Sequence, residues 1–145
     1  MIVGAAQPTA GNFELPTEPA TSRPVMLVHG TKDPIVPYQG GTASLWGFRP
    51  RGEGLSAEDT ARYYARRNGL HVSPVRSELP HDPRSGRTSV TRSEYRADGK
   101  DPVVLFTVTG GGHTVPGPKS FPRIMGRTNH DLDTALAAAD FFRLG

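Results

Sequence analysis

Apolar residues in this chain gather into two short runs, Val-Met-Leu-Val behind Pro24 and Val-Val-Leu-Phe-Thr-Val at 103–108, separated by long polar stretches. Both are brief, rich in β-branched residues and bounded by turn formers, which reads as buried strands at 24–28 and 103–108. The opening residues, Met1 to Ala6, read as the middle or end of another strand. Residues 89–96 alternate in polarity instead. A turn around Asp98-Gly99 joins them to the 103–108 run, so the two are expected to pair as an antiparallel hairpin. Helical spacing occurs twice. Between 56 and 68, Ala57, Ala61, Tyr64 and Ala65 share one face, Ser56 and Asp59 form a capping-box-like start, and Gly69 stands at the expected left-handed cap. Between 132 and 143, the residues Leu132, Ala135, Leu136, Ala139 and Phe142 are expected to form the apolar face.

The remaining lengths read as loops. Residues 7–23 are rich in Pro, Thr, Gly and Glu; Gly40-Gly41 and Gly52 to Gly54 bracket a second loop carrying Trp46 and Phe48; residues 114–126 are proline-rich. Strand, loop, helix, strand, helix predicts an α/β fold, with a mostly parallel sheet, an antiparallel hairpin and two flanking helices. Three core strands and two helices make half of such a sheet, so residues 1–145 read as one partial domain. A chain that opens inside a core strand suggests a truncated form, a split gene or a misplaced start codon. Its unpaired edge calls for a complementary N-terminal half.

Composition narrows the picture further. A hydrophobic fraction of 35% and a mean hydropathy of −0.45 are low for a chain that builds a self-sufficient core. The formal net charge is +3, but the basic residues are scattered (Arg49, Arg51, Arg62, Arg66, Arg67 and onward) with no aromatic-interleaved stripe, which speaks against a nucleic-acid partner. No stretch approaches the ~20 apolar residues of a membrane span. Zero cysteines remove disulfides and thiolate metal sites while leaving the compartment open. His71, His81 and His130 have no partner at ligand spacing, so no metal is expected.

Candidate chemistry lies just past the two apolar runs. His29-Gly30-Thr31-Lys32-Asp33-Pro34 follows the first, and Gly110-Gly111-Gly112-His113 follows the second. A carboxylate just past one strand and a histidine just past a later one can serve as orienting acid and general base. Each alone has an ordinary structural reading: Asp33 as an Asx-turn former before Pro34, His113 as a histidine in a glycine-rich turn. His29 reads as structural, packed or hydrogen-bonded beneath the acid loop. No nucleophile accompanies them. A nucleophile elbow needs glycine two before and two after its serine; among the nine serines, Ser56 comes closest, with Gly54 before it but Glu58 after it.

The stretches 29–41 and 110–117, with Arg66-Arg67-Asn68-Gly69 and the closing segment 131–142, resemble the polyhydroxybutyrate depolymerase and feruloyl esterase family of α/β-hydrolases. The resemblance covers nearly the whole chain and aligns it with the C-terminal half of such enzymes. It implies a serine carboxylic-ester hydrolase acting on polyester or hydroxycinnamoyl esters without a cofactor, with Asp33 as triad acid and His113 as base. The nucleophile and oxyanion hole would come from the N-terminal half. Val115 stands where the family often has tryptophan, which alters the substrate pocket, and Trp46 on the loop after the acid reads either as lining a substrate groove or, more simply, as an aromatic anchor for that loop's own packing.

Overall fold

The computed structural model describes residues 2–3, 22–45 and 48–143. Seven strands occur among them: β1 (Ile2–Val3), β2 (Val25–Gly30), β3 (Gly41–Leu45), β4 (Phe48–Gly54), β5 (Val75–Glu78), β6 (Ser89–Tyr95) and β7 (Val103–Thr109). Helices α1 (Ala57–Arg67) and α2 (Thr134–Arg143) complete the architecture with two short 3-10 turns. Five strands form one sheet in the order β1-β2-β7-β6-β5, and β3 pairs with β4 in a separate hairpin.

The α/β class and both helices appear where the residue pattern placed them, and 89–95 pairs with 103–109 as the expected antiparallel hairpin. The expected mostly parallel sheet does not: β1-β2 and β2-β7 are parallel, whereas β7-β6 and β6-β5 are antiparallel, so the sheet is mixed. The difference comes from β5. Its four residues are all exposed, so it carries no burial pattern and exists as a strand because β6 offers it a ladder. The loop expected after Gly40-Gly41 likewise contains the β3-β4 ladder. Trp46 lies outside the described residues, as do most of residues 7–23.

Both faces of the central strands are covered, which is why β2 is apolar from Val25 to Val28 and β7 from Val103 to Phe106. Val25, Leu27, Val103 and Leu105 pack with Ala57, Ala61 and Ala65 of α1 and with Tyr38 and Leu70. Met26, Val28, Val104, Phe106 and Val108 turn the other way, toward Leu132 and the Ala137, Ala138 and Phe141 face of α2. The face expected for α2 is therefore corrected: Leu132 is buried just ahead of the helix, but Leu136 is 65% and Phe142 37% exposed. The helix is apolar almost all round, so spacing alone cannot choose its inner face. The start chooses it, because the Asp133 side chain accepts from the N–H groups of Ala135 and Leu136 while Thr134 bonds the Pro116 carbonyl.

Helix α1 is anchored at both ends by its own sequence. The Asp59 N–H donates to Ser56 Oγ at 3.0 Å, a cap worth about 1 kcal/mol. At the other end Leu70 N–H reaches the Ala65 carbonyl and Gly69 N–H the Arg66 carbonyl, with Gly69 at φ +71°, the paired bonds of a Schellman motif. Ala57 N–H also bonds the Tyr38 carbonyl at 2.9 Å, tying the start of α1 to the loop after β2.

Candidate active site

Strands β2 and β7 run parallel and in register from Val25 opposite Val103 to Gly30 opposite Val108. Both chains therefore leave the sheet at the same carboxyl end, where sites of open α/β sheets form. The two exit loops are stitched together: Thr31 N–H donates to the Val108 carbonyl at 2.9 Å, Lys32 N–H to the Gly111 carbonyl at 2.9 Å, and Gly110 N–H to Thr31 Oγ1 at 2.9 Å. This close approach requires glycine at 30, where a Cβ would stand 2.4 Å from the Gly111 oxygen.

On this frame Asp33 Oδ2 meets His113 Nδ1 at 2.8 Å. The other oxygen, Oδ1, accepts the N–H groups of Ile35 at 2.8 Å and Val36 at 2.9 Å. Asp33 thus makes its Asx turn with one oxygen and meets His113 with the other. The carboxylate is almost wholly buried, with 3% of its side chain exposed, while the His113 side chain is 34% exposed. Among the described residues no group hydrogen-bonds His113 Nε2. A carboxylate on Nδ1 holds the proton there and leaves Nε2 as the basic nitrogen. The backbone of His113 is fixed too, its N–H donating to the Met125 carbonyl at 2.7 Å.

His29 lies beneath the acid, as its position at the end of β2 suggests. Its Nε2 donates to the Val36 carbonyl at 3.0 Å and stands 3.6 Å from Asp33 Oδ2. Burial pushes its pKa below the ordinary 6.5, against the Val36 hydrogen bond and the Asp33 charge, with His113 adding to the decrease. The unfolded chain therefore binds the His29 proton more readily than the folded one. Stability contributed by this site is fully present above pH 6.5 and is lost as the pH falls through the folded value. The melting temperature of His29→Gln, whose amide nitrogen stands about where the ring Nε2 does and can still donate to Val36, is expected to fall less than the parent's on acidification from pH 7.5 to 5.5. Parallel curves for the two would remove His29 as the cause.

Several supporting residues did not stand out in the sequence. Tyr38 is buried, its hydroxyl 2.8 Å from Thr107 Oγ1 and its ring edge-on to His29, so it clamps the far end of the acid loop to β7. Asn129 is fully buried; its Oδ1 accepts from the N–H groups of Asp131 and Leu132, and its Nδ2 donates to Thr88 and Asp131. Burial pushes the Asp131 carboxyl up, but hydrogen bonds from Ser85, Asn129, the Asp82 N–H and His81 outweigh it and leave the pKa below the ordinary range. This network holds the segment before α2 against the turn before β6. Its trace in the sequence is the Asn-His-Asp spacing at 129–131, typical of a chain that bonds its own backbone. Val115 is 39% exposed on the loop beyond His113. No helix among the described residues is long and apolar enough to cross a membrane.

No protein-family model matches the chain, and no solved structure matches it. A protein from Nocardia uniformis subsp. tsuyamanensis named "Putative esterase NocK" is 30% identical to it, across 88% of this chain and 41% of that protein. The chain thus spans about two fifths of that relative's length. This similarity points to an esterase-like relationship, and it does not reach the narrower polyhydroxybutyrate depolymerase and feruloyl esterase family.

Proposed function

We propose that this chain supplies the acid and the general base of a serine carboxylic-ester hydrolase, as the C-terminal portion of an α/β-hydrolase domain. The observation that carries the reading is the 2.8 Å contact from buried Asp33 to Nδ1 of His113, with Nε2 left without a partner among the described residues. In the reaction Nε2 takes the proton of a serine hydroxyl as its oxygen attacks the ester carbonyl, and returns it to the leaving alcohol. Asp33 keeps the proton on Nδ1 and stabilises the imidazolium between those steps. The serine, on a Gly-x-Ser-x-Gly elbow, and the oxyanion-hole N–H groups belong to a preceding segment, since none of the nine serines here meets the elbow rule. Polyesters and hydroxycinnamoyl esters are the substrates the sequence resemblance favours, and no cofactor takes part.

The missing elbow supports a second reading, a non-catalytic remnant or interaction module of the same fold. The two readings separate experimentally. The 145 residues alone are expected to leave p-nitrophenyl esters at the buffer rate and to take up no fluorophosphonate probe, because neither nucleophile nor oxyanion hole is present. Ester hydrolysis by a longer polypeptide carrying a preceding Gly-x-Ser-x-Gly segment, with loss on His113→Ala, supports the enzyme. Indifference of that activity to His113→Ala favours the remnant. Ser120 is the serine to watch, since its hydroxyl lies 3.3 Å from Nε2 of His130, whose Nδ1 donates to the Gly117 carbonyl at 2.6 Å. Stoichiometric labelling there would place the nucleophile within this chain and overturn the proposed division.

A further inference from the structure

Beside the His113 loop, at the same carboxyl end of the sheet, lies a 660 Å³ cleft whose walls include Lys32, Arg123, Arg127, Ser120, Thr128 and Phe121. Its charge is one-sided. Residues 102–130 contain no Asp or Glu but carry Lys119, Arg123 and Arg127, as many positive charges as the whole chain's formal net of +3. Arg84 also borders the cleft but is neutralised by Asp82 at 2.6 Å. Lys32, Arg123 and Arg127 have no carboxylate or other hydrogen-bonding partner for their side chains among the described residues. Unpaired cations converging on a concave surface focus the field there and attract anions.

The cleft is joined to the base by backbone. Gly112 N–H donates to the Arg127 carbonyl at 3.0 Å and His113 N–H to the Met125 carbonyl at 2.7 Å, so the segment bearing both arginines lies alongside the one bearing His113. The approach is so close that a Cβ on Gly112 would meet the Met125 oxygen at 2.2 Å. On the opposite flank, Lys32 directly precedes Asp33. The cations are therefore fixed relative to the Asp33–His113 pair by the shared frame.

We propose that this cleft is a recognition site for an oxyanion, carboxylate or phosphate, carried by the ester that His113 serves. Arg127 and Arg123 offer planar forks for bidentate contact and Lys32 a point charge. Ser120 and Thr128 can add neutral hydrogen bonds, and Phe121, 46% exposed, gives an apolar wall for the carbon chain between anion and ester. The proposal rests on the esterase reading for the identity of the ligand, but the anion site itself can be tested without catalysis.

The probes are monomethyl succinate, its neutral counterpart dimethyl succinate, and methyl phosphate, titrated into the isotope-labelled 145-residue chain. The backbone amides of Gly110, Gly126 and Thr128 are followed. The anionic probes are expected to shift these signals saturably and more weakly as salt is added, the neutral diester not at all; whichever oxyanion binds tighter names the preferred group. Arg123→Gln combined with Arg127→Gln is expected to weaken binding at least tenfold, and as both side chains are exposed the spectrum otherwise persists. Equal response to charged and neutral esters, no response to either anion, or unchanged binding by the double variant would overturn the site. In the longer hydrolase the same double variant is expected to raise KM for monomethyl succinate tenfold or more at unchanged kcat, sparing the diester. Anion binding without any ester hydrolysis would leave the cleft and remove the esterase reading. Hydrolysis with no preference for charge would do the reverse.

Discussion

Asp33→Asn, made in a polypeptide that includes the nucleophile segment, is expected to lower kcat for ester hydrolysis by about 10⁴-fold while the fold persists. The geometry explains why so small a change is so costly. The asparagine oxygen can still accept the Ile35 and Val36 N–H groups that Oδ1 accepts now. Its amide nitrogen then stands where Oδ2 meets Nδ1 of His113, and it presents a donor in place of an acceptor. His113 must turn that nitrogen into the acceptor, which moves its proton to Nε2 and removes the lone pair needed by the serine. Substrate contacts are untouched, so KM should change little beside kcat. A variant that keeps more than a tenth of the parent kcat would show that Asp33 holds the loop and does not set the tautomer.

Gly30→Ala is expected to cost roughly 3 kcal/mol of stability, lowering Tm by about 10 °C, and to abolish activity in the same longer protein. The alanine Cβ would lie 2.4 Å from the Gly111 oxygen and 2.5 Å from the Gly112 oxygen. These neighbours are backbone, so relief requires the His113 loop to withdraw from β2, breaking the Lys32 N–H bond to Gly111. Gly117→Ala is the matched control. Its Cβ would meet open space, and the change should stay within about 0.5 kcal/mol. Equal melting temperatures for the two variants would mean that the approach of β2 to the loop is not needed for stability.

The elements that could be read before any coordinates are those in which one local rule decides the outcome. Helix α1 carries its own cap at Ser56 and its own stop at Gly69, and both bonds form as the residues dictate. Strands β2 and β7 begin with four apolar residues each because both faces are covered there, and the Asp98-Gly99 turn commits β6 to pair with β7. Asp33 and His113 could be named together because each stands a few residues past such a strand, and parallel strands in register deliver their exit loops to one place.

Tertiary structure decided the features that depend on partners distant in the chain. The inner face of α2 is set by how Asp133 and Thr134 seat its first turn, since a helix apolar all round offers the sheet more than one choice. The mixed sheet arises from β5, whose exposed residues carry no pattern and become a strand only along β6. Which oxygen of Asp33 faces which nitrogen of His113 depends on two N–H groups claiming Oδ1 first. The cationic cleft was hidden for the same reason: Lys32 and Arg127 are far apart along a chain whose basic residues look scattered, and the parallel pairing of β2 with β7 brings them to one rim. The sequence by itself determined the local elements and put Asp33 and His113 forward as candidates for one site, because these rest on spacing and side-chain type. Only the fold could determine the faces, the register at the site and the gathering of charge, because each of those is a relation between residues that only packing brings together.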